Sequence, residues 1–160
     1  MRPRSLLVLL VLLGLPSFAG APRRSLSVAA AANLKGAVEE LAAGFEAANP
    51  GVDVLLTLGA SGALFSQLKN GAPFDLFLSA DREYPSRLVE ARLGAAAEER
   101  VYAIGTLVAW RPAGSKVDLE RQGLAALAQA SVKRVAIANP AVAPFGRATV
   151  AALEAAGVHA

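Results

Sequence analysis

Groups able to act as nucleophile, base or metal ligand are scarce in these 160 residues: there is no cysteine and one histidine, His159, beside the last residue. Thiolate chemistry, a Cys/His zinc or iron–sulfur site and a His pair for a metal ion are therefore excluded. Neutral donors are better supplied. Three segments place small, amide or hydroxyl residues where a strand pattern gives way to a helix pattern: Ala30-Ala31-Ala32-Asn33-Leu34, Gly59-Ala60-Ser61-Gly62, and Asn139-Pro140 through Ala143-Pro144-Phe145-Gly146. At such corners the first N–H groups of the helix are unpaired and face the positive end of its dipole. Small residues let the backbone approach a ligand, and Asn33 and Ser61 add a side-chain donor. Together the corners suit an oxyanion.

Each corner also has a plainer explanation, since Asn and Ser are favoured helix N-caps and Gly serves turns. Ser61 as a hydrolase nucleophile fits poorly, because the strained elbow of that class needs Gly two residues after Ser, where Ala63 stands, and His159 is the only imidazole. Asp75 and Asp81 flank a strand pattern and could form an acid/base pair, but a capping or hinge-facing role suits Asp81 better. Trp110 reads as packing or an interface flank, and His159 as a solvated helix end.

The elements that must hold these corners alternate. Leu26–Ala31 reads as a buried strand. Asn33 then opens a helix with Leu34, Val38, Leu41, Ala42 and Phe45 on one face, stopped by Asn49-Pro50-Gly51. Strand Val52–Leu58, a helix carrying Leu64, Phe65 and Leu68, and strand Asp75–Ser79 complete a β-α-β-α-β run. A helix over Asp81 to Ala91 follows, then extended pieces at Val101–Ala103 and Thr106–Trp110, a helix over Leu119–Gln129, a strand at Arg134–Ala138 and a helix over Ala148–Ala156. Such alternation means an α/β fold on largely parallel sheets. The Ala runs read as close-packing and helix-forming positions.

The charge pattern depends on the amino terminus. Arg2 and Arg4 precede the unbroken run Leu6–Leu13, and Gly14-Leu15-Pro16-Ser17-Phe18-Ala19 supplies a breaker and small residues, the pattern of a secretory signal peptide over residues 1–19. The run is shorter than the roughly 20 residues of a membrane-spanning helix. No Cys follows it for lipid attachment. Removing Arg2 and Arg4 from the 16 basic residues leaves 14 against 13 acidic, so the formal charge of +3 falls to +1. Arg23-Arg24 and Lys133-Arg134 are isolated pairs and form no phosphate-tracking stripe, so nucleic acid is not an expected partner.

Leu26-Ser27-Val28-Ala29-Ala30-Ala31-Ala32-Asn33-Leu34, Gly59-Ala60-Ser61-Gly62-Ala63-Leu64, Asn70-Gly71-Ala72-Pro73-Phe74-Asp75-Leu76-Phe77-Leu78-Ser79-Ala80-Asp81 and Asn139-Pro140…Ala143-Pro144-Phe145-Gly146-Arg147-Ala148 resemble, in this order, the molybdate-binding proteins of ABC-type molybdate importers. The resemblance implies a two-lobed, type II periplasmic-binding-protein-like α/β fold that clamps an oxyanion between lobes and delivers it to an ABC-type membrane permease, without catalysis. It implies a first lobe over 26–98, a crossover over 99–110 and a partial second lobe over 111–160. By position, the ligand residues would be Asn33, Ser61, Phe145 through its backbone N–H and, more weakly, Ala32 through its backbone. The ligand would be molybdate, with tungstate also accepted, or another oxyanion such as sulfate or phosphate in the same clamp. No cofactor is implied, and molybdenum would enter only as molybdate, never as a bare ion. A monomer in the periplasm is expected, not membrane-spanning once the signal is removed. The same fold also serves transcription factors as an effector domain, a role that the signal peptide and the missing DNA-binding helix pair oppose. Family chains run further, adding another backbone donor and a Tyr, so the sequence is expected to be an amino-terminal fragment.

Overall fold

The computed structural model describes residues 23–158. The signal-peptide reading of residues 1–19 and the helix-end reading of His159 lie outside them. Strand β1 (Arg24–Ala31) is the centre of a three-stranded sheet in the order β2-β1-β3, with β2 (Val52–Gly59) and β3 (Leu76–Leu78) both parallel to it. Helix α1 (Lys35–Ala48) connects β1 to β2, and α2 (Ser61–Lys69) connects β2 to β3. Because side chains alternate along a strand, β1 and β3 can feed both faces of the sheet. Val28 and Ala30 of β1 join Val38 of α1 and Val54, Leu56 and Leu58 of β2 in one core. In a second core Phe77 of β3 meets Phe65 and Leu68 of α2 and Tyr84 and Leu88 of α3 (Glu83–Glu90).

Ala29, Ala30 and Ala31 are almost fully buried, which is the close packing expected of that run, whereas Ala95–Ala97 are exposed. Helix α1 departs from its expected face. Leu34, Val38 and Ala42 turn inward, but Leu41 and Phe45 are exposed, and the inward row ends with Glu46, whose carboxylate accepts the Val54 N–H at 2.7 Å. Asp75 extends the β1–β3 pairing: its N–H donates to Ser27 O at 2.8 Å, and its carboxylate accepts the Ser27 N–H at 2.7 Å.

The carboxy-terminal part differs more from expectation. The helix foreseen over Leu119–Gln129 is a single turn, α4 (Leu119–Gln122), continued as a 3-10 turn over Gly123–Ala128, and α5 spans Pro144–Ala155. The strands expected at Val101–Ala103, Thr106–Trp110 and Arg134–Ala138 do not form: among the described residues these segments join no ladder. The reason is a missing partner, because an apolar run becomes a strand only when a neighbour takes its N–H and C=O groups. Ile104 is 91% and Trp110 81% exposed. A cavity of about 870 Å³ lies between the Thr106–Trp110 and Arg134–Ala138 segments, lined by Leu107, Trp110, Leu127, Val135, Ile137 and Leu153. No helix of the described residues is long and apolar enough to cross a membrane.

Candidate functional site

The parallel register sets Ala31 opposite Gly59, so β1 and β2 end at the same edge of the sheet. Ala32 and Asn33 leave β1 there in a single 3-10 turn, Ala32–Leu34, and Ser61 leaves β2 as the first residue of α2. The first two corners are thus neighbours, at the carboxyl edge where open parallel sheets hold ligands. Neither polar side chain is a cap. The N-cap positions of α1 and α2 are Leu34 and Ala60, and no side chain caps either helix.

Asn33 is exposed, and its side chain bonds no other described residue. Ser61 is 1% exposed, and its Oγ accepts the Ala80 N–H at 3.0 Å. That bond fixes the oxygen and leaves the hydroxyl proton free to donate. No base among the described residues bonds Ser61, so the nucleophile reading gains no support from the geometry. Asp75 and Asp81 flank β3 but are held by different partners, Asp75 by the Ser27 N–H and Asp81 by Ser79, Tyr84 and Arg147, and no hydrogen bond pairs them as acid and base.

The third corner is built by Asn139. Its Oδ1 accepts the Ala141 N–H at 3.0 Å, and its carbonyl accepts the Ala143 N–H at 2.8 Å. Ala143 is the N-cap of α5 and Pro144 its first residue, where the absent N–H costs nothing. The next N–H, that of Phe145, has no backbone acceptor among the described residues. The Phe145 ring serves a different purpose: a Cβ at Gly105 would lie 2.9 Å from its tip, so the ring fills the space that glycine leaves open there.

The second and third corners are tied directly. Gly62 N–H donates to Val142 O at 3.0 Å, and a Cβ at Gly62 would lie 2.5 Å from Tyr84 Oη and 3.0 Å from Val142 O. Beside them Arg147 of α5 donates to Asp81 Oδ2 at 2.6 Å, Tyr84 Oη at 3.0 Å and Glu83 Oε2 at 3.2 Å. The Tyr84 hydrogen bond leads the causes that raise the Arg147 pKa above its ordinary value. Asp81 also accepts the Tyr84 N–H at 3.4 Å, although the N-cap position of α3 is Arg82. Ala80, Tyr84, Val142 and Arg147 were not among the residues expected at the site. The Arg147 link spans more than sixty positions of sequence, and only its place in the last motif hinted at a role.

Residues 26–160 match the family described as bacterial extracellular solute-binding protein. The chain belongs to that family. It is 38% identical over 131 residues to the molybdate-binding protein ModA of Azotobacter vinelandii, covering 82% of this chain and 50% of that one. It is 34% identical over 153 residues to the molybdate-binding protein ModA of Rhodobacter capsulatus, covering 96% and 57%. The solved structure of the Azotobacter vinelandii periplasmic molybdate-binding protein superposes with a TM-score of 0.73 at 35% identity, covering 83% of this chain and 56% of that one. The chain spans about half the length of the curated relatives it matches. Within the family, its architecture is a two-lobed type II α/β fold with a partial second lobe.

Proposed function

We propose that this chain is the anion-holding part of an exported solute-binding protein for molybdate, accepting tungstate as well, that serves an ABC-type importer from the periplasm and performs no chemistry. Lobes over 26–98 and 111–160, joined by the crossover 99–110, would close on the ligand. The observation that carries this reading is the meeting of three donor corners, two brought together by the Ala31–Gly59 register and the third by the Gly62–Val142 hydrogen bond. Ser61 would donate its hydroxyl proton, Asn33 its amide, Phe145 its backbone N–H and Ala32 a weaker backbone contact.

A doubly charged tetrahedral oxyanion needs no protein cation at such a site. Each hydrogen bond to a charged group contributes about 1.5–3 kcal/mol net, and the helix dipoles add to it. Neutral donors at fixed positions select by size and geometry, so a tetrahedral anion larger than sulfate can be told from it by fit. The relatives named as molybdate-binding support molybdate as that anion. Isothermal titration with molybdate, followed by competition with sulfate and phosphate, tests the reading. Saturable molybdate binding that excess sulfate fails to displace is expected. Tighter binding of sulfate or phosphate would reassign the clamp to that anion, and no binding of any of them would refute it.

A further inference from the structure

We propose that Arg147 is a positioning residue of this site: by bonding Asp81, Glu83 and Tyr84 it holds the N-terminus of α5 over the Ser61 corner. The inference rests on the anion-site reading for what the positioning serves, but the clasp itself stands on geometry. Arg147 follows Phe145 by two residues in α5, so fixing its guanidinium fixes the Phe145 N–H. Its partners precede or open α3, and Tyr84 Oη packs against the Gly62 backbone next to Ser61. Tyr84 is anchored in turn, 5% exposed, with its ring centroid 5.2 Å from that of Phe65 of α2. The guanidinium also lies 5.2 Å from the Tyr84 ring centroid. One planar, multi-donor side chain therefore ties the start of α5, which carries the Phe145 N–H, to the start of α3, from which Tyr84 reaches Gly62 and Phe65 of α2 beside Ser61, a task for which the single point charge of lysine is poorly shaped.

Its charge is matched by two carboxylates, so Arg147 is not needed to attract the anion. The clasp should act on dissociation, because contacts that hold a closed state govern release while association follows the open state. The test compares native protein, Arg147→Gln and Arg147→Lys by stopped-flow release of molybdate and by the ligand-free radius of gyration in X-ray scattering. Release about tenfold faster in Arg147→Gln is expected, with a larger ligand-free radius and partial rescue by lysine. Salt at about 0.5 M should speed release from native protein and leave Arg147→Gln unchanged. Native-like release and radius in Arg147→Gln would overturn the proposal. If circular dichroism shows that this variant does not fold, the Asp81→Asn/Glu83→Gln double variant is read by the same criteria. If native protein binds no molybdate, the anion-site reading fails by itself, and the ligand-free radius still decides the clasp.

Discussion

Replacing Ser61 by alanine separates its two hydrogen bonds. Ser61 Oγ accepts the Ala80 N–H at 3.0 Å in surroundings that leave the residue 1% exposed. Alanine leaves that N–H without its acceptor, which costs about 1–3 kcal/mol of stability. At the proposed anion site alanine would also remove a donor to a charged ligand, worth about 1.5–3 kcal/mol, or a rise in Kd from about tenfold to more than a hundredfold. The first loss appears in denaturant melts without ligand, the second in calorimetric titration with molybdate under conditions where the variant remains folded. Both losses are expected. A destabilised variant that binds molybdate with native affinity would refute the ligand role and reduce Ser61 to a backbone brace.

Asn33→Ala should behave differently, because its exposed side chain bonds no other described residue: stability within about 0.5 kcal/mol of native, and molybdate affinity lower by about tenfold, both read by the same two assays. Gly105→Ala should force the Phe145 ring aside, since the added Cβ lies 2.9 Å from it; lower thermal stability is expected, and Phe145→Leu in the same chain should restore part of it. Tyr102 donates its hydroxyl proton to Ser79 O, and burial raises its pKa above 10.0. The neutral phenol's contribution is therefore fully present below pH 10.0 and lost as pH rises through the higher folded-state value, so melts at about pH 9 and about pH 11 should differ more for native protein than for Tyr102→Phe.

The amino-terminal half was legible because its signals are local. Apolar runs of strand length, helical spacing between them and the stop at Asn49-Pro50-Gly51 are enough to order β1, α1, β2, α2 and β3, and a parallel sheet brings the ends of β1 and β2 together. The same local reasoning failed where pairing decides. Val101–Ala103, Thr106–Trp110 and Arg134–Ala138 have strand-like composition, but composition supplies no hydrogen-bonding neighbour, and the segments stay outside any ladder. Likewise Leu41 and Phe45 fit a helical face that the sheet does not cover.

For the site, sequence singled out candidates for holding an anion: Asn33 and Ser61 from residue type and position at strand-to-helix corners, and the Phe145 N–H from the family resemblance. It could not distinguish a donor from a helix cap, because both demand the same residue types at nearly the same place. Tertiary structure excluded the cap role, by putting Ala60 and Leu34 at the cap positions, and among the described residues no hydrogen bond engages the Asn33 amide or the Ser61 hydroxyl proton. It also decided what holds the corners together. The Gly62–Val142 and Arg147–Asp81 bonds join residues far apart in sequence, and such partners are chosen by packing in three dimensions, which no local pattern encodes.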